Sequence, residues 1–152
     1  MSVPHVTRIL IADDHSLVRD GLKGVLDAEP DLQVVAEVAD GAEAVERALA
    51  DDVDLAILDL SMPRMTGLQA ARELAHRRPH LRVVILSMYD NDQFLFEALK
   101  AGASGYVLKS AADDDVVEAC RAAMRGDAFL YPSAVNALVR DLLERGDGRS
   151  EP

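Results

Sequence analysis

Polar side chains suited to phosphoryl chemistry stand directly behind short apolar runs of the sequence. They are the carboxylates of Asp13, Asp14 and Asp59, the hydroxyl of Ser87 and the amine of Lys109. Clustered carboxylates repel one another unless a cation joins them, and oxygen ligands suit a hard divalent ion such as Mg²⁺. A carboxylate beside such an ion can act as a nucleophile and accept a phosphoryl group. The lysine and the serine would then bind phosphoryl oxygens.

Aspartate after a strand also has a simpler explanation. It is a favoured N-cap, so any one of these aspartates could do no more than start a helix. Capping accounts for a single position more readily than for all five together. The combined set therefore favours the phosphoryl site.

The elements that must position these groups follow from the apolar pattern. Five short runs rich in Val, Ile and Leu predict strands buried on both faces, and they cover residues 9–12, 34–38, 55–60, 83–86 and 105–108. Stretches with helical periodicity lie between them. Strict alternation of strand and helix predicts a parallel α/β sheet with helices on both faces. Ligands of such sheets bind beyond the carboxyl ends of the strands.

One more amphipathic segment follows the fifth strand–helix unit. It covers residues 133–145, and its apolar side chains recur at helical spacing, namely Val135, Leu138, Val139, Leu142 and Leu143. We expect this helix to pack back on the domain or to pair with another copy of the chain. The predicted division is a domain over residues 1–130, an extra C-terminal helix over 131–146, and the start of a linker over 147–152.

Composition excludes several classes of partner. The chain carries 27 acidic and 16 basic side chains, for a net charge of −11. A net negative charge of this size does not favour binding to nucleic acid phosphates or to an anionic membrane. A single cysteine, Cys120, cannot form an intrachain disulfide, and no apolar run reaches the length of a membrane span. The predicted location is the cytoplasm.

Four segments resemble the receiver domain of bacterial two-component response regulators. They read Ile-Leu-Ile-Ala-Asp-Asp-His at 9–15, Leu-Asp-Leu-Ser-Met-Pro-Arg-Met-Thr-Gly at 58–67, Leu-Ser-Met at 86–88 and Gly-Tyr-Val-Leu-Lys at 105–109. The resemblance covers about residues 6–145. The Met-Arg-Gly-Asp at 124–127 and the extra helix are similar to the NarL/LuxR-type subgroup. The implied fold is flavodoxin-like, a doubly wound sheet of five parallel strands in the order 2-1-3-4-5.

The resemblance implies a role for each pocket residue. Asp59 is the expected phospho-acceptor and a metal ligand. Asp14 would bind Mg²⁺, or Mn²⁺ in its place, directly. Asp13 would bind the ion mainly through water, and the backbone carbonyl of Ser61 would be a further protein ligand.

The resemblance also implies which residues bind the phosphoryl group or change position on activation. Ser87 corresponds to a hydroxyl that moves toward the phosphoryl group. Tyr106 corresponds to an aromatic side chain that turns inward on activation. Lys109 would pair with the phosphoryl oxygens.

A signalling function follows from the resemblance. The expected activity is phosphorylation by a cognate histidine kinase rather than an enzymatic reaction, apart from autophosphorylation and autodephosphorylation. Receivers of this subgroup regulate transcription through a C-terminal helix-turn-helix, which this chain does not contain. Contact with DNA is expected only through such an output domain, and a homodimer could form on activation.

Other functions stay open at this point. A pseudo-receiver, or a stand-alone receiver that acts by protein–protein binding, would share the fold. A haloacid-dehalogenase-like phosphatase also uses an aspartyl nucleophile, but it needs a second aspartate where Ser61 stands. A flavodoxin-like flavin binder would need a phosphate loop rich in Ser, Thr and Gly after the first strand, and this sequence lacks such a loop there.

A few residues depart from the expected pattern or have no assigned role. Met88 is larger than the side chain common in receivers, which predicts narrower access to Asp59. We interpret His15 as a surface histidine and Cys120 as a core residue. Phe96 is expected on the polar side of its helix, where it could mark an interaction surface. Ser110 is predicted to start the fifth helix.

Overall fold

The computed structural model describes the backbone of residues 5–150 and the side chains of residues 5–131 and 133–145. The strands are β1 (Thr7–Ala12), β2 (Leu32–Val38), β3 (Leu55–Asp59), β4 (Arg82–Ser87), β5 (Gly105–Leu108) and β6 (Phe129–Leu130). The helices are α1 (Ser16–Asp27), α2 (Gly41–Ala50), α3 (Gly67–Arg77), α4 (Asp92–Lys100), α5 (Ala112–Arg125) and α6 (Pro132–Ser150). A 3₁₀ turn, Lys109–Ala111, joins β5 to α5.

The sheet confirms the predicted fold class. All the strand pairs in the described residues are parallel, in the order β2-β1-β3-β4-β5-β6. The first five strands have the predicted order, but a sixth strand was not predicted. β6 is only two residues long and pairs with Gly105 and Tyr106 of β5. A pair of residues is too short for the alternating pattern that identifies a strand in a sequence.

The sheet separates two apolar layers. Helices α2, α3, α4 and α6 cover one face, where Leu10, Leu58 and Leu74 are fully buried. Helices α1 and α5 cover the other face, around Ile57 and Leu86. Each central strand is buried on both faces, which is why its sequence is apolar without alternation. This packing holds the strand ends, and therefore the site, in place.

The helix ends show two clear caps and correct one prediction. The side chain of Asn91 accepts hydrogen bonds from the amides of Gln93 and Phe94 at the start of α4. Gly126 ends α5 in the left-handed conformation that favours glycine. Ser110 was predicted to start α5, but α5 begins at Ala112 and Ser110 lies in the 3₁₀ turn. The turn leads directly into the helix, so no separate cap is needed.

The C-terminal helix differs from its prediction in length and in the face that packs. It runs to Ser150, beyond the predicted end at 146, and residues 151–152 of the predicted linker lie outside the described residues. Glycine lowers helix propensity by about 1 kcal/mol but does not forbid a helix. The helix packs through the buried Ala134 and Ala137, while the side chains of Val135 and Leu142 are exposed. No helix in the described part of the chain is long and apolar enough to cross a membrane.

Candidate functional site

The strand ends bring the predicted pocket residues to one edge of the sheet. Asp13 follows β1, Asp59 and Ser87 are the last residues of β3 and β4, and Lys109 follows β5. The neighbouring order of β1, β3, β4 and β5 places these four residues side by side. Asp13, Asp59 and Ser87 are buried.

Lys109 lies between two buried carboxylates. Its Nζ is 2.8 Å from Oδ2 of Asp13 and 3.0 Å from Oδ2 of Asp59. Burial by itself would lower the pKa of the Lys109 ammonium, but the two carboxylates raise it above its usual range. The amine therefore stays charged, as a group that binds phosphoryl oxygens must.

The two carboxylates beside Lys109 differ in basicity. Burial, helped by the charge of Asp13, raises the pKa of Asp59 to about 6, although Lys109 acts to lower it. Burial also acts to raise the pKa of Asp13, but Lys109 and the backbone amide and ring of His15 outweigh it and hold that pKa below its usual value. Asp59 is therefore the more basic of the two carboxylates.

Gly67 packs closely against the carboxyl end of β3. The amide of Gly67 donates to the carbonyl of Leu60, while the amide of Leu60 donates to Leu86 of the next strand. A Cβ at Gly67 would lie 2.1 Å from the backbone oxygen of Asp59. Only glycine allows the first turn of α3 to approach Asp59 this closely.

The loop between β3 and α3 is tied to α2 by a long-range ion pair. Arg64 adopts a positive φ of 65°, and its Nη2 lies 2.8 Å from Oδ2 of the buried Asp40. Asp40 also caps α2 by accepting a hydrogen bond from the amide of Glu43. Sequence reasoning missed this pair, because nothing local links positions 24 residues apart. It stabilises the loop that carries Ser61.

His15 joins the aspartate pair. Its Nδ1 is 3.0 Å from Oδ1 of Asp13 and 3.2 Å from Oδ1 of Asp14. The sequence predicted a surface histidine, and 59% of the side chain is indeed exposed. The ring nevertheless contacts the carboxylates of the site. The only signal in the sequence was its position next to Asp13 and Asp14.

The donor set fits a hard divalent cation. One ligand atom from each of Asp13, Asp14, His15 and Asp59 lies within 4.8 Å of all the others. Oδ2 of Asp13 is fully buried and lies near Lys109, yet it receives no well-directed hydrogen bond from the described residues. Carboxylate oxygens with free lone pairs are the ligands that Mg²⁺ and Mn²⁺ prefer. Ser61 lies beside these carboxylates, because its amide donates a hydrogen bond to Oδ1 of Asp59 at 3.3 Å.

Ser87 and Tyr106 are linked through one backbone segment. The amide of Tyr89 donates to Oγ of Ser87 at 2.9 Å, and the hydroxyl of Tyr106 donates to the carbonyl of Tyr89 at 3.0 Å. Tyr106 is fully buried, so it has the inward orientation that the resemblance assigns to the activated state. Its ring packs 5.6 Å from that of Tyr131 at the start of α6. A movement of Ser87 would therefore displace Tyr89. Through the carbonyl of Tyr89 it would affect Tyr106, and through the ring of Tyr106 it would affect Tyr131.

Two cavities with shared lining residues lie at this edge of the sheet. A cavity of about 50 Å³ lies over Asp59, and a shallower cleft of about 470 Å³ opens beside it. His15, Met88 and Lys109 line both. The side chain of Met88 is 71% exposed and forms the rim. The smaller cavity has room for an ion or a few atoms, so donor access depends on this rim.

Two other predicted residues lie away from the site. Cys120 is fully buried, and burial raises the pKa of its thiol to about 12, in agreement with a core role. Phe96 is half-buried on α4 and lines a small cleft with Lys100. Another cavity, of about 610 Å³, lies between α2 and α3, and none of the predicted site residues line it.

Comparison with known proteins agrees with this geometry. Residues 9–121 match the response regulator receiver domain. The chain is 37% identical over 134 residues to the transcriptional regulatory protein DegU of Brevibacillus brevis, covering 88% of this chain and 57% of that protein. It is 39% identical over 137 residues to the oxygen regulatory protein NreC of Staphylococcus carnosus, covering 90% and 63%. The chain thus spans about three fifths of the length of these curated relatives.

Solved structures match over most of the chain. A LuxR-family response regulator from Aurantimonas sp. SI85-9A1 superimposes with a TM-score of 0.84 at 31% identity, covering 91% of this chain and 99% of that one. The signal receiver domain of the NarL response regulator from Mycobacterium tuberculosis has a TM-score of 0.77 at 34% identity, covering 81% and 99%. The chain belongs to the response regulator receiver domain family, with relatives of the NarL and DegU type.

Proposed function

We propose that this chain is a phosphorylation-activated switch in which Asp59 accepts a phosphoryl group. The observation that carries the proposal is the position of Lys109, whose amine bridges Asp13 and Asp59 beneath an open cavity. An Oδ atom of Asp59 attacks phosphorus, and the bond from phosphorus to the leaving group of the donor breaks. Lys109 then pairs with the new phosphoryl oxygens. The physiological donor is a histidine kinase, as for other members of the family.

The same residues would hold the divalent ion. Asp14 and Asp59 offer direct carboxylate ligands, Ser61 offers its backbone carbonyl, and Asp13 acts mainly through water. When bound, Mg²⁺ neutralises the charge of the incoming phosphoryl group. The protein supplies a preformed arrangement of carboxylates, of which Asp13 and Asp59 are buried.

Phosphorylation would be transmitted by Ser87. Its hydroxyl leaves the amide of Tyr89 to bind the phosphoryl group, which breaks the 2.9 Å hydrogen bond between them. The segment after β4 then shifts together with Tyr106, whose hydroxyl is bound to the same residue. The event thus changes the equilibrium between two conformations of this surface rather than the fold.

The wider role follows from the family. Residues 1–130 would form the phosphoryl-accepting unit, and α6, which begins at Pro132, would lead toward an output domain. The relatives are named as a transcriptional and an oxygen regulatory protein. We infer a cytoplasmic regulator of transcription that contacts DNA only through an output domain and pairs with a second copy when activated. It would not be an enzyme beyond its own phosphorylation and dephosphorylation.

Substitution of Asp59 tests the proposal directly. We expect the wild-type protein to gain the mass of one phosphoryl group when incubated with a small phosphodonor and Mg²⁺, and Asp59→Asn to gain none. Removal of Mg²⁺ with a chelator should prevent the gain. Asp20→Asn, which changes an exposed aspartate on α1, should be phosphorylated like the wild type.

Other outcomes would favour the alternatives. Wild-type protein that gains no mass under any metal condition would be a pseudo-receiver. Continuous release of phosphate from many substrates would indicate a phosphatase. Mass gain that persists in Asp59→Asn would place the acceptor elsewhere.

Met88 should limit the rate of the same reaction. Its exposed side chain forms the rim of the cavity over Asp59. We expect Met88→Ala to be phosphorylated by the small donor, and hydrolysed afterwards, several times faster than the wild type. Rates are measured by mass spectrometry over time, with the exposed Leu142→Ala as a control for loss of an apolar surface side chain. Equal rates in Met88→Ala and wild type would contradict the prediction.

A further inference from the structure

We propose that His15 is a nitrogen ligand of the divalent-cation site and shifts its selectivity from Mg²⁺ toward transition ions such as Ni²⁺. The inference deepens the proposed function, because it rests on the metal site formed by the aspartates. Nothing in the oxygen donors alone would distinguish this site from one built for Mg²⁺ only.

The first argument is the distance between the donor atoms. Nδ1 of His15 lies 3.0 Å from Oδ1 of Asp13 and 3.2 Å from Oδ1 of Asp14. Adjacent ligands of an octahedral ion with bonds of about 2.1 Å are separated by about 3 Å. The ring nitrogen therefore stands at the distance from Oδ1 of Asp14, the expected direct ligand, that a shared ion requires.

The second argument is the orientation of the ring. His15 occupies the N-cap position of α1, but its side chain makes no capping hydrogen bond there. The ring instead faces the two carboxylates. A capping role would be served better by Ser, Thr, Asp or Asn, so the position of a histidine here is explained by the pocket rather than by the helix.

The third argument is the surroundings. Oδ2 of Asp13 is buried 2.8 Å from the Lys109 ammonium without a directed hydrogen bond, so it keeps a lone pair that an ion can bind. His15 borders both the cavity over Asp59 and the adjoining cleft. A cation that enters through the cleft passes the ring on its way to the aspartates.

A competing explanation makes the opposite prediction. If the ring only donates a hydrogen bond to the carboxylates, it competes with every cation for the same oxygen atoms. Removal of the ring would then change the affinities for all divalent ions in parallel. If His15 is a ligand, removal of the ring lowers the affinity mainly for ions that favour nitrogen, because imidazole suits Ni²⁺ whereas Mg²⁺ prefers oxygen.

The test compares Mg²⁺ and Ni²⁺ binding to the whole chain by calorimetry. In His15→Ala we expect the dissociation constant for Ni²⁺ to rise at least about tenfold, the loss typical of disturbing even an outer partner of a metal site. The constant for Mg²⁺ should change little. His80→Ala, which removes an exposed histidine far from these residues in the sequence, should bind both ions like the wild type.

A spectroscopic readout separates ligation from a structural effect. Pulsed EPR of bound Mn²⁺ should detect a coordinated nitrogen in the wild type and none in His15→Ala. A parallel change for both ions, unchanged Ni²⁺ affinity, or no nitrogen coupling would overturn the assignment. In those cases normal Mg²⁺ binding by the wild type leaves the proposed function standing. Failure of the wild type to bind any divalent ion would overturn both.

Discussion

Gly67→Ala will lower the free energy of unfolding by about 3 kcal/mol, at the upper end of the usual cost of overpacking. The added Cβ would lie 2.1 Å from the backbone oxygen and 2.8 Å from the carbonyl carbon of Asp59. These atoms belong to β3, which is hydrogen-bonded between β1 and β4 and cannot yield locally. Either α3 or the acceptor end of β3 must move.

Thermal unfolding measures this effect. For a chain of this size, about 3 kcal/mol corresponds to a melting temperature lower by roughly 6–12 °C. Because the movement displaces Asp59 itself, phosphorylation by a small donor should also slow in the fraction that folds.

Gly24→Ala is the matched control. Gly24 lies in the interior of α1, and an added Cβ would contact nothing within 4 Å. This substitution should stabilise the protein by about 0.5–1 kcal/mol, the ordinary benefit of alanine over glycine in a helix. If Gly67→Ala melts at or above the wild-type temperature, the close approach of α3 to Asp59 is not a constraint.

The second large effect concerns the buried cation. Lys109→Ala removes the amine that lies 2.8 and 3.0 Å from Asp13 and Asp59 and leaves two carboxylates facing each other. Removing one partner of a buried ion pair costs about 3–5 kcal/mol. We expect about 3 kcal/mol without divalent ions, because the pKa of Asp59, already raised to about 6 by burial, rises further without Lys109, and binding a proton then relieves part of the repulsion.

Two further measurements identify the cause of that cost. Mg²⁺ at saturating concentration should restore most of the lost stability, because the ion replaces the missing positive charge and binds the folded state. Adding Asp59→Asn to Lys109→Ala should likewise reduce the cost, since one of the opposing charges is gone. Both are read from melting temperatures with and without Mg²⁺.

Lys100→Ala controls for the loss of a lysine. Lys100 is exposed at the end of α4, so its replacement should leave the melting temperature nearly unchanged. If Lys109→Ala without metal is as stable as Lys100→Ala, the ion pairs of Lys109 contribute nothing to folding. Phosphorylation of Lys109→Ala should be strongly reduced even where Mg²⁺ restores its stability, because the ion does not supply the second contact to the phosphoryl oxygens.

Much of the fold could be predicted because its signals are local. Apolar runs identified five of the strands, since a strand buried on both faces needs no polar alternation. Parallel pairing then requires that the residues following those strands meet at one edge. Asp13, Asp59, Ser87 and Lys109 were for this reason predictable as neighbours.

The sequence did not predict the features that depend on packing between distant segments. β6 forms only because Phe129 and Leu130 reach the free edge of β5. The face of α6 was predicted from its larger apolar side chains, but the helix packs through Ala134 and Ala137 because small side chains allow a close approach to α4 and the sheet.

By itself, then, the sequence determined the class of fold, the order of five strands and the chemical types gathered at one edge, since periodicity and strand ends are properties of neighbouring residues. Only the tertiary structure decided how those groups interact. It placed the amine of Lys109 within 3.0 Å of two carboxylates, turned the ring of His15 toward Asp13 and Asp14, and linked Ser87 to Tyr106 through Tyr89. Such distances depend on how crossovers and loops pack, and no local pattern encodes them.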